Sequence, residues 1–137
     1  MPKPIPVPDE LSKPFWDAVN ERRLMVQNCT TCSKLQYPPR ETCASCGASG
    51  DHMEWHEVEG RGHVVGNIVV HDTRLRRLQR DIPHNLTMVG LDEDPSLLFF
   101  ANLPGTPVDE VPNGAPVEVI FEEVAPGQLI HDWQIVR

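Results

Sequence analysis

The first stretch of the chain has the hydrophobic spacing of a short amphipathic helix. Leu11, Phe15 and Val19 recur at intervals of four, so they fall on one face of a helix. Ser12 is a suitable N-cap, and Pro14 is tolerated in the first turn. We predict a helix over about residues 12–21. Its apolar side would serve either for packing within the chain or for docking on another subunit.

Three short extended segments follow the helix in the hydrophobic pattern. Residues 24–27 form a first strand, residues 35–37 form its return partner, and residues 54–59 alternate around Trp55 and Val58. The Gly60-Arg61-Gly62 sequence then interrupts the alternation. We therefore predict a module boundary there, which separates an N-terminal helix and ribbon, residues 1–60, from a C-terminal domain, residues 61–137.

Five strand-like runs succeed one another after this boundary. They cover residues 63–71, 86–91, 97–103, 117–121 and 129–136. Turn sequences rich in Pro, Gly, Asn and Asp separate the runs, and no helical period intervenes. Five strands of this length predict a small antiparallel barrel, of which the OB-fold is the common five-stranded form. A five-stranded sandwich is the alternative.

Four cysteines supply the strongest chemical signal in the sequence. The pattern is C-x2-C-x10-C-x2-C, with Cys29 and Cys32 in one pair and Cys43 and Cys46 in the other. Each two-residue gap lets one tight turn aim two thiolates at one point, and two such turns provide the four ligands of a structural zinc ion. Gly47 follows the second pair, where such turns often need a positive φ. Iron in a rubredoxin-like site is the alternative metal.

The predicted metal site leaves little scope for chemistry at the ion. Four sulfur ligands occupy all tetrahedral positions, so no position remains for water or substrate. His52 and His56 lie four apart in a segment predicted to be extended, where they are too distant to chelate. The sequence contains neither a Gly-x-Ser-x-Gly nucleophile motif nor a phosphate-binding glycine loop. We therefore expect no catalytic residue in the chain.

Composition is that of an ordinary globular protein, with 39% hydrophobic and 23% charged residues. Prolines at positions 2, 4, 6 and 8 interrupt the apolar helix that a secretion signal needs, and no run approaches about 18 apolar residues. We expect a cytoplasmic protein without membrane association. In a reducing cytoplasm, clustered cysteines more often bind metal than form disulfides.

Charge is distributed unevenly along a chain whose net charge is −8. Residues 81–137 carry ten acidic side chains and one basic side chain, whereas residues 61–80 carry five basic side chains and one acidic. Most of the surface would repel a polyanion, so we do not expect a nucleic-acid partner.

The basic stretch contains a cluster of arginines between the first and second predicted barrel strands. Arginine side chains suit bidentate contacts to phosphate, and OB-folds bind ligands through this loop. The nucleotide end of coenzyme A is a phosphate ligand small enough for the charge pattern. Contact with an acidic partner and simple solvation are the alternatives. The cluster consists of Arg74, Arg76, Arg77 and Arg80.

The order of these features resembles one protein family over nearly the whole chain. The matching segments are Phe15-Trp16, the two cysteine pairs, Tyr37-Pro38-Pro39-Arg40 between them, Trp55, Gly60-x-Gly62, residues 83–91, and Gly114-x-Pro-Val117-x-Val119-x-Phe121. The resemblance is to the zinc-ribbon plus OB-fold family known as domain of unknown function thirty-five. It implies a mainly β fold, with an N-terminal helix and a rubredoxin-like zinc ribbon followed by a five-stranded OB-fold barrel.

The resemblance also implies a function. Members of that family are partners of thiolase-superfamily enzymes that form or cleave carbon–carbon bonds on acyl-CoA thioesters. This chain would be a non-catalytic subunit that docks on a thiolase-like catalytic subunit in a hetero-oligomer and helps to enclose coenzyme A. The four cysteines would be the zinc ligands. The docking candidates are Phe15, Trp16, Tyr37, Pro38 and Arg40.

The resemblance leaves the reaction open among thiolase, aldolase and synthase complexes, and the pathway open between lipid and aromatic degradation. Three other functions are compatible with the sequence. A zinc ribbon and an OB-fold both occur in proteins that bind single-stranded nucleic acid. Iron in the sulfur site would make the chain an electron carrier. An independent enzyme would have to turn over an acyl-CoA by itself.

Overall fold

The computed structural model describes residues 5–74, 76, 79 and 82–136 of the 137-residue chain. These residues include an α-helix, the 3₁₀ turn Gly50–His52 and two antiparallel sheets. None of the helices among them has the length and apolar character needed to span a membrane. In chain order the elements are α1 Lys13–Asn20, β1 Leu24–Cys29, β2 Leu35–Gln36, the 3₁₀ turn Gly50–His52, β3 Met53–Val58, β4 Arg61–Val70, β5 His84–Leu91, β6 Leu98–Ala101, β7 Pro116–Ala125 and β8 Gln128–Ile135.

Helix α1 is confirmed and begins directly after Ser12, but the Ser12 side chain does not make the predicted capping hydrogen bond. Ser12 already has helical backbone angles, with φ −90° and ψ −11°, and its side chain caps no helix N–H group. Instead, the Ser12 N–H donates to Asp9 Oδ1 at 2.7 Å, and the Asp9 N–H donates to Ser12 Oγ at 3.1 Å. The Lys13 N–H donates to the Asp9 carbonyl at 2.8 Å. The reciprocal pair forms a capping box one turn earlier, which leaves Ser12 inside the turn.

The first sheet contains the three predicted extended segments, in the order β2-β1-β3. Central strand β1 pairs along its full length with β3, from Leu24 opposite Val58 to Cys29 opposite Met53. Strand β2 pairs with β1 only through residues 35 and 36. The first metal-ligand candidate, Cys29, therefore lies at the end of the best-supported strand of this sheet.

The second sheet contains the five strands predicted after residue 60, in the order β6-β5-β4-β7-β8. Strands β4, β5 and β6 form a meander, and β7 and β8 form a hairpin. Strand pairing joins the meander to the hairpin where Arg61–His63 pair with Pro116–Glu118. A bulge between Val64 and Gly66 bends β4 just beyond that contact.

The expected closed barrel is not formed. Among the described residues the sheet is open, because no ladder joins its edge strands β6 and β8. Strand β6 has only four residues, which are all used in pairing with β5. Side chains close the gap instead, since the rings of Phe99 and Trp133 lie 5.9 Å apart between the two edges.

A cluster of aromatic rings joins the helix and both sheets. Phe99 of β6 stacks on Tyr37 at 4.0 Å and meets His131 of β8 edge-on at 5.3 Å. Phe15 of α1 contacts Tyr37 at 5.5 Å and His131 at 6.0 Å. Such ring pairs contribute about 0.5–1.5 kcal/mol each beyond area burial. We call this cluster the aromatic junction; its members are Phe15, Trp16, Tyr37, Phe99, His131 and Trp133.

The aromatic junction contains His131, and burial there disfavours the protonated, charged form of its imidazole. Its Nδ1 atom is buried and has no hydrogen-bond partner in the part of the chain that the structure describes. Burial lowers the pKa of the imidazole to about 4, from an ordinary value of 6.5. The unfolded chain therefore binds a proton between these pH values while the folded chain does not, so stability falls as the pH falls from 6.5 toward 4.

We predict that His131→Leu reduces the acid sensitivity of the fold. Linkage between the two pKa values gives the wild type at most about 2 kcal/mol of loss from this residue between pH 7 and pH 5. Urea unfolding at the two pH values should show a correspondingly smaller loss in the variant. His56→Leu, at an exposed position of β3, is the matched control and should keep the wild-type dependence. Equal losses in wild type and His131→Leu would contradict the assignment.

Candidate metal centre and its surroundings

The four cysteines lie on two turns of the same construction. In the first, the Cys29 N–H donates to the Lys34 carbonyl at 3.0 Å, and the Ser33 N–H donates to the Cys29 carbonyl at 2.7 Å. In the second, the Cys43 N–H donates to Ala48 at 2.9 Å and the Gly47 N–H donates to Cys43 at 2.9 Å. In each turn the residue after the second cysteine donates its N–H to the carbonyl of the first cysteine. The two C-x2-C pairs therefore have the same backbone geometry.

Both turns place their fifth residue at positive φ. Gly47 has φ 77°, which confirms the prediction made from its position after the second cysteine pair. Ser33, at the equivalent position of the first turn, has φ 61°. A non-glycine residue pays a steric cost there, so the chain accepts strain to complete the first turn.

The sulfur atoms converge on one point. Cys29 Sγ lies 3.6 Å from Cys46 Sγ, and Cys32 Sγ lies 3.7 Å from Cys43 Sγ. All four ligand atoms lie within 4.8 Å of one another. An ion bonded to four sulfurs at about 2.3 Å in a tetrahedron holds them about 3.8 Å apart. The spacing of the sulfurs therefore fits one tetrahedral ion of zinc size.

Backbone N–H groups favour the thiolate form of the two buried cysteines, Cys29 and Cys43. The N–H groups of Cys46 and Ser45 both point at Cys43 Sγ, each at 3.4 Å, and they lower the pKa of this thiol to about 6. The pKa of Cys29 is also lowered, chiefly by the N–H of Cys32. Cys29 and Cys43 are buried while Cys32 and Cys46 are exposed, so the centre lies at the surface with its two inner ligands shielded.

A buried glutamine holds the segment between the two turns in place. Gln27 of β1 donates to the Arg40 carbonyl at 3.0 Å and accepts from the Arg40 N–H at 2.8 Å. Gln36 donates to the Gln27 side chain at 2.8 Å and accepts from the Ala44 N–H at 3.0 Å. These contacts take the place of a strand ladder for residues 40–44. Sequence reasoning missed both glutamines, because the residue type alone does not show whether a glutamine side chain is buried or exposed.

The residues expected to dock on a partner differ in their exposure. Phe15 is 2% exposed and lies inside the aromatic junction, so its contribution to docking would be indirect. Trp16 and Tyr37 are partly buried, and burial raises the pKa of Tyr37 to about 12. Pro38 and Arg40 are exposed in the connection between the two cysteine turns. Docking by these residues stays a prediction.

The arginine cluster is only partly described. Arg74 and Arg76 are exposed after the end of β4, whereas Arg77 and Arg80 lie outside the described residues. Their predicted contact with coenzyme A stays a prediction.

A cavity of about 560 Å³ lies under the loop that connects β6 and β7. Leu103, Val108 and Ile120 supply apolar walls, and Asp132 and His84 are among its polar lining. The loop is held by asparagines: Asn85 donates to the Val108 carbonyl at 2.8 Å, and Asn67 donates to the Val111 carbonyl at 3.3 Å. Sequence reasoning did not predict this cavity, because it forms between segments distant in the chain.

Two family models match the chain in succession. One is described as the ChsH2 rubredoxin-like zinc ribbon domain and matches residues 16–52. The other is described as the ChsH2 C-terminal OB-fold domain and matches residues 55–122. The first includes all four cysteines, and the two confirm the predicted order of zinc ribbon and OB-fold. The predicted division at residues 60 and 61 stays a prediction.

Three relatives place these matches in context. A probable enoyl-CoA hydratase alpha subunit of Thermomonospora curvata is 33% identical over 115 residues, which are 82% of this chain but 34% of that protein. The chain thus spans about a third of the length of the curated relative that it matches. A solved structure titled Ltp2-ChsH2(DUF35) aldolase has a TM-score of 0.80 at 26% identity, over 95% of this chain and 98% of that chain.

The third relative shows likeness of fold alone. It is a protein of unknown function from the DUF35 family of Sulfolobus solfataricus, with a TM-score of 0.62 and 13% identity. The likeness covers 93% of this chain and 86% of that chain.

We predict that Gln27→Leu destabilises the ribbon. Removal of the amide leaves the Arg40 N–H and carbonyl without their partner, which costs about 1–3 kcal/mol for a buried group. Urea unfolding should detect this loss. Gln134→Leu is the matched control, because Gln134 makes an exposed contact to Glu118 and its loss should cost less than about 0.5 kcal/mol. Similar values for the two variants would contradict the role assigned to Gln27.

Proposed function

Because the chain belongs to the ChsH2 family of zinc-ribbon and OB-fold proteins (DUF35), we propose that it is an accessory subunit of an enzyme acting on acyl-CoA thioesters. In this proposal a separate catalytic subunit carries out the reaction. The chain contributes a structural zinc ion, docking surface and part of the enclosure around coenzyme A. Cytoplasmic location is part of the proposal.

The convergence of four cysteine sulfurs is the observation that carries the proposal. Cys29, Cys32, Cys43 and Cys46 would hold one zinc ion, and the sulfur–sulfur distances match a tetrahedral set. When bound, the ion would act as a cross-link between the two turns, because four sulfurs leave no position for a reacting molecule. The protein residues then have the task of presenting a rigid surface.

The acyl-CoA assignment is supported by what the relatives are called. The Thermomonospora relative is named for a hydratase that acts on an enoyl-CoA and is described as an alpha subunit. The solved neighbour is titled as an aldolase with two named proteins. Both names describe enzymes of more than one component, and this chain aligns with one part of each. We propose a thiolase-like catalytic subunit as the partner, on the family resemblance.

Two surfaces are proposed for contact with that partner and with coenzyme A. Trp16 and Tyr37 belong to the aromatic junction, and Pro38 and Arg40 are exposed in the connection between the two cysteine turns. The exposed Arg74 and Arg76, together with Arg77 and Arg80, are proposed to contact the phosphates of coenzyme A.

A second candidate function is a role in hydration of an enoyl-CoA. The name of the Thermomonospora relative favours it. It differs from the first in the reaction of the catalytic subunit, and it makes the same use of the ribbon and the OB-fold. Identification of the partner distinguishes the two.

We predict that the purified chain contains one zinc ion and is colourless. Elemental analysis should give about one zinc per chain, and Cys43→Ser should lose most of the metal together with the protease resistance of residues 24–58, because structural zinc supplies folding energy to its site. Thr31→Ser, within the first turn but without a ligand atom for the ion, should retain both. Iron with visible absorption would point to the electron-carrier alternative, and a metal-free folded chain would contradict the zinc site.

We predict that affinity purification of the chain from a lysate of its natural host retrieves an acyl-CoA enzyme subunit, identified by mass spectrometry. The purified subunit should lose at least about tenfold of its activity when this chain is absent and regain it when the chain is added back. Cys43→Ser should fail to restore activity, whereas Thr31→Ser should restore it. A catalytic subunit that is fully active alone would contradict the accessory role.

A further inference from the structure

The outward face of β4, β5 and β6 carries a continuous apolar surface. Ile68 pairs with Leu86, and Met88 pairs with Phe100, and paired residues of antiparallel strands project to the same side. Val65 lies on this side over Gly90, where an added Cβ would be 3.0 Å from Val65 Cγ2. We call this surface the outer-face patch; it consists of Val65, Ile68, Leu86, Met88 and Phe100.

The patch is exposed although its composition is that of a core. Ile68 is 59% exposed, Phe100 56% and Val65 54%. The alternate positions of the same strands, among them Val64, Val89 and Phe99, face inward and are buried. Antiparallel sheets that face water on one side usually alternate apolar and polar residues, whereas strands covered on both sides are apolar throughout. The five apolar outer positions of β4, β5 and β6 therefore depart from this alternation, as expected of a face that another surface covers.

The pairing register between β5 and β6 fixes the outward position of Phe100. A slip of one residue between β5 and β6 would place Phe100 inside and Phe99 outside. Phe99 is held inward by contacts with Tyr37, His131 and Trp133 in the aromatic junction. The fold thus cannot bury Phe100 by shifting the strand, and none of the described residues covers it.

Charge indicates the chemistry of the covering molecule. The five patch residues are uncharged, and the turn that borders them between β5 and β6 contains Asp92, Glu93 and Asp94. Residues 81–137 carry ten acidic side chains, and the whole chain has a net charge of −8. A surface with an apolar centre and lysine or arginine at its border would complement this arrangement, whereas a second copy of the chain brings the same excess of negative charge.

We infer that the outer-face patch is a docking surface for the catalytic subunit, which covers it with an apolar surface bordered by basic side chains opposite residues 92–94. The inference rests on the proposed function and specifies the chemistry of the partner. The size of the curated relative agrees with it, because the region matching this chain is about a third of that protein and the remainder is available to cover such a face.

The experiment uses the subunit that the wild-type chain retrieves and that mass spectrometry identifies. Ile68→Asp/Phe100→Asp places two charges in the patch, at positions exposed enough for the fold to tolerate them. Buried anchors at the centre of an interface contribute about 2 kcal/mol or more, so the dissociation constant should rise at least about 30-fold. Val7→Asp is the matched control at an exposed apolar residue outside the patch, and it should leave the constant unchanged.

A second measurement does not depend on the stability of a variant. A photo-reactive phenylalanine analogue at position 100 should cross-link to an apolar segment of the catalytic subunit near Lys or Arg, and the same analogue at position 7 should not. Circular dichroism and zinc content verify that each variant is folded.

The possible results distinguish failure of the outer-face patch from failure of the proposed function. Retrieval of the subunit with unchanged affinity in the double variant, or no cross-link from position 100, overturns the patch but leaves the proposed function standing. Failure of the wild-type chain to retrieve any acyl-CoA enzyme subunit overturns both. A dimer of this chain alone that Ile68→Asp/Phe100→Asp dissociates would identify a second copy as the occupant, with Arg74 and Arg76 opposite the acidic turn, and would overturn the inference.

Discussion

The convergence of four sulfur atoms on one point is the constraint on which the rest of the ribbon depends. The two turns that carry them are separated by ten residues of chain, and a separation of 4.8 Å or less among their sulfurs fixes where that connection must run. The connection carries Tyr37, which stacks on Phe99 of the second sheet. Phe15 of the helix packs against the same tyrosine. The position of the connection between the cysteine turns is thus linked, through the Tyr37 ring, to the helix and to the edge of the second sheet.

Polar side chains complete what the strands leave unpaired. Gln27 both donates to the Arg40 carbonyl and accepts from the Arg40 N–H, whereas Asn85 and Asn67 donate to the carbonyls of Val108 and Val111 in the loop after β6. Each amide satisfies backbone groups in a segment that has no ladder, and so holds that irregular segment in place. Rigid irregular segments beside a closed metal centre are suited to recognition of another molecule.

The molecule is built to present surfaces rather than to react at its metal. Four thiolates would close the coordination sphere, and the polar contacts around the turns stiffen the backbone there. In the second sheet, an apolar patch on the outer face of β4, β5 and β6 leaves Ile68 and Phe100 in contact with solvent. An accessory subunit accounts for both features, because its surfaces are completed when the catalytic subunit is bound.

The sequence alone determined the features that depend on short spacing. Two C-x2-C pairs, the positive φ of Gly47 and the five strands after residue 60 follow from local patterns, because turn closure and alternation involve only near neighbours. Tertiary structure decided the rest. The cap at Asp9, the burial of Gln27, the meeting of Phe15 with His131, the open sheet edge and the outward position of Phe100 depend on strand register and on contacts between distant segments. These contacts join segments that are far apart in the chain, so the local sequence around each residue does not determine them.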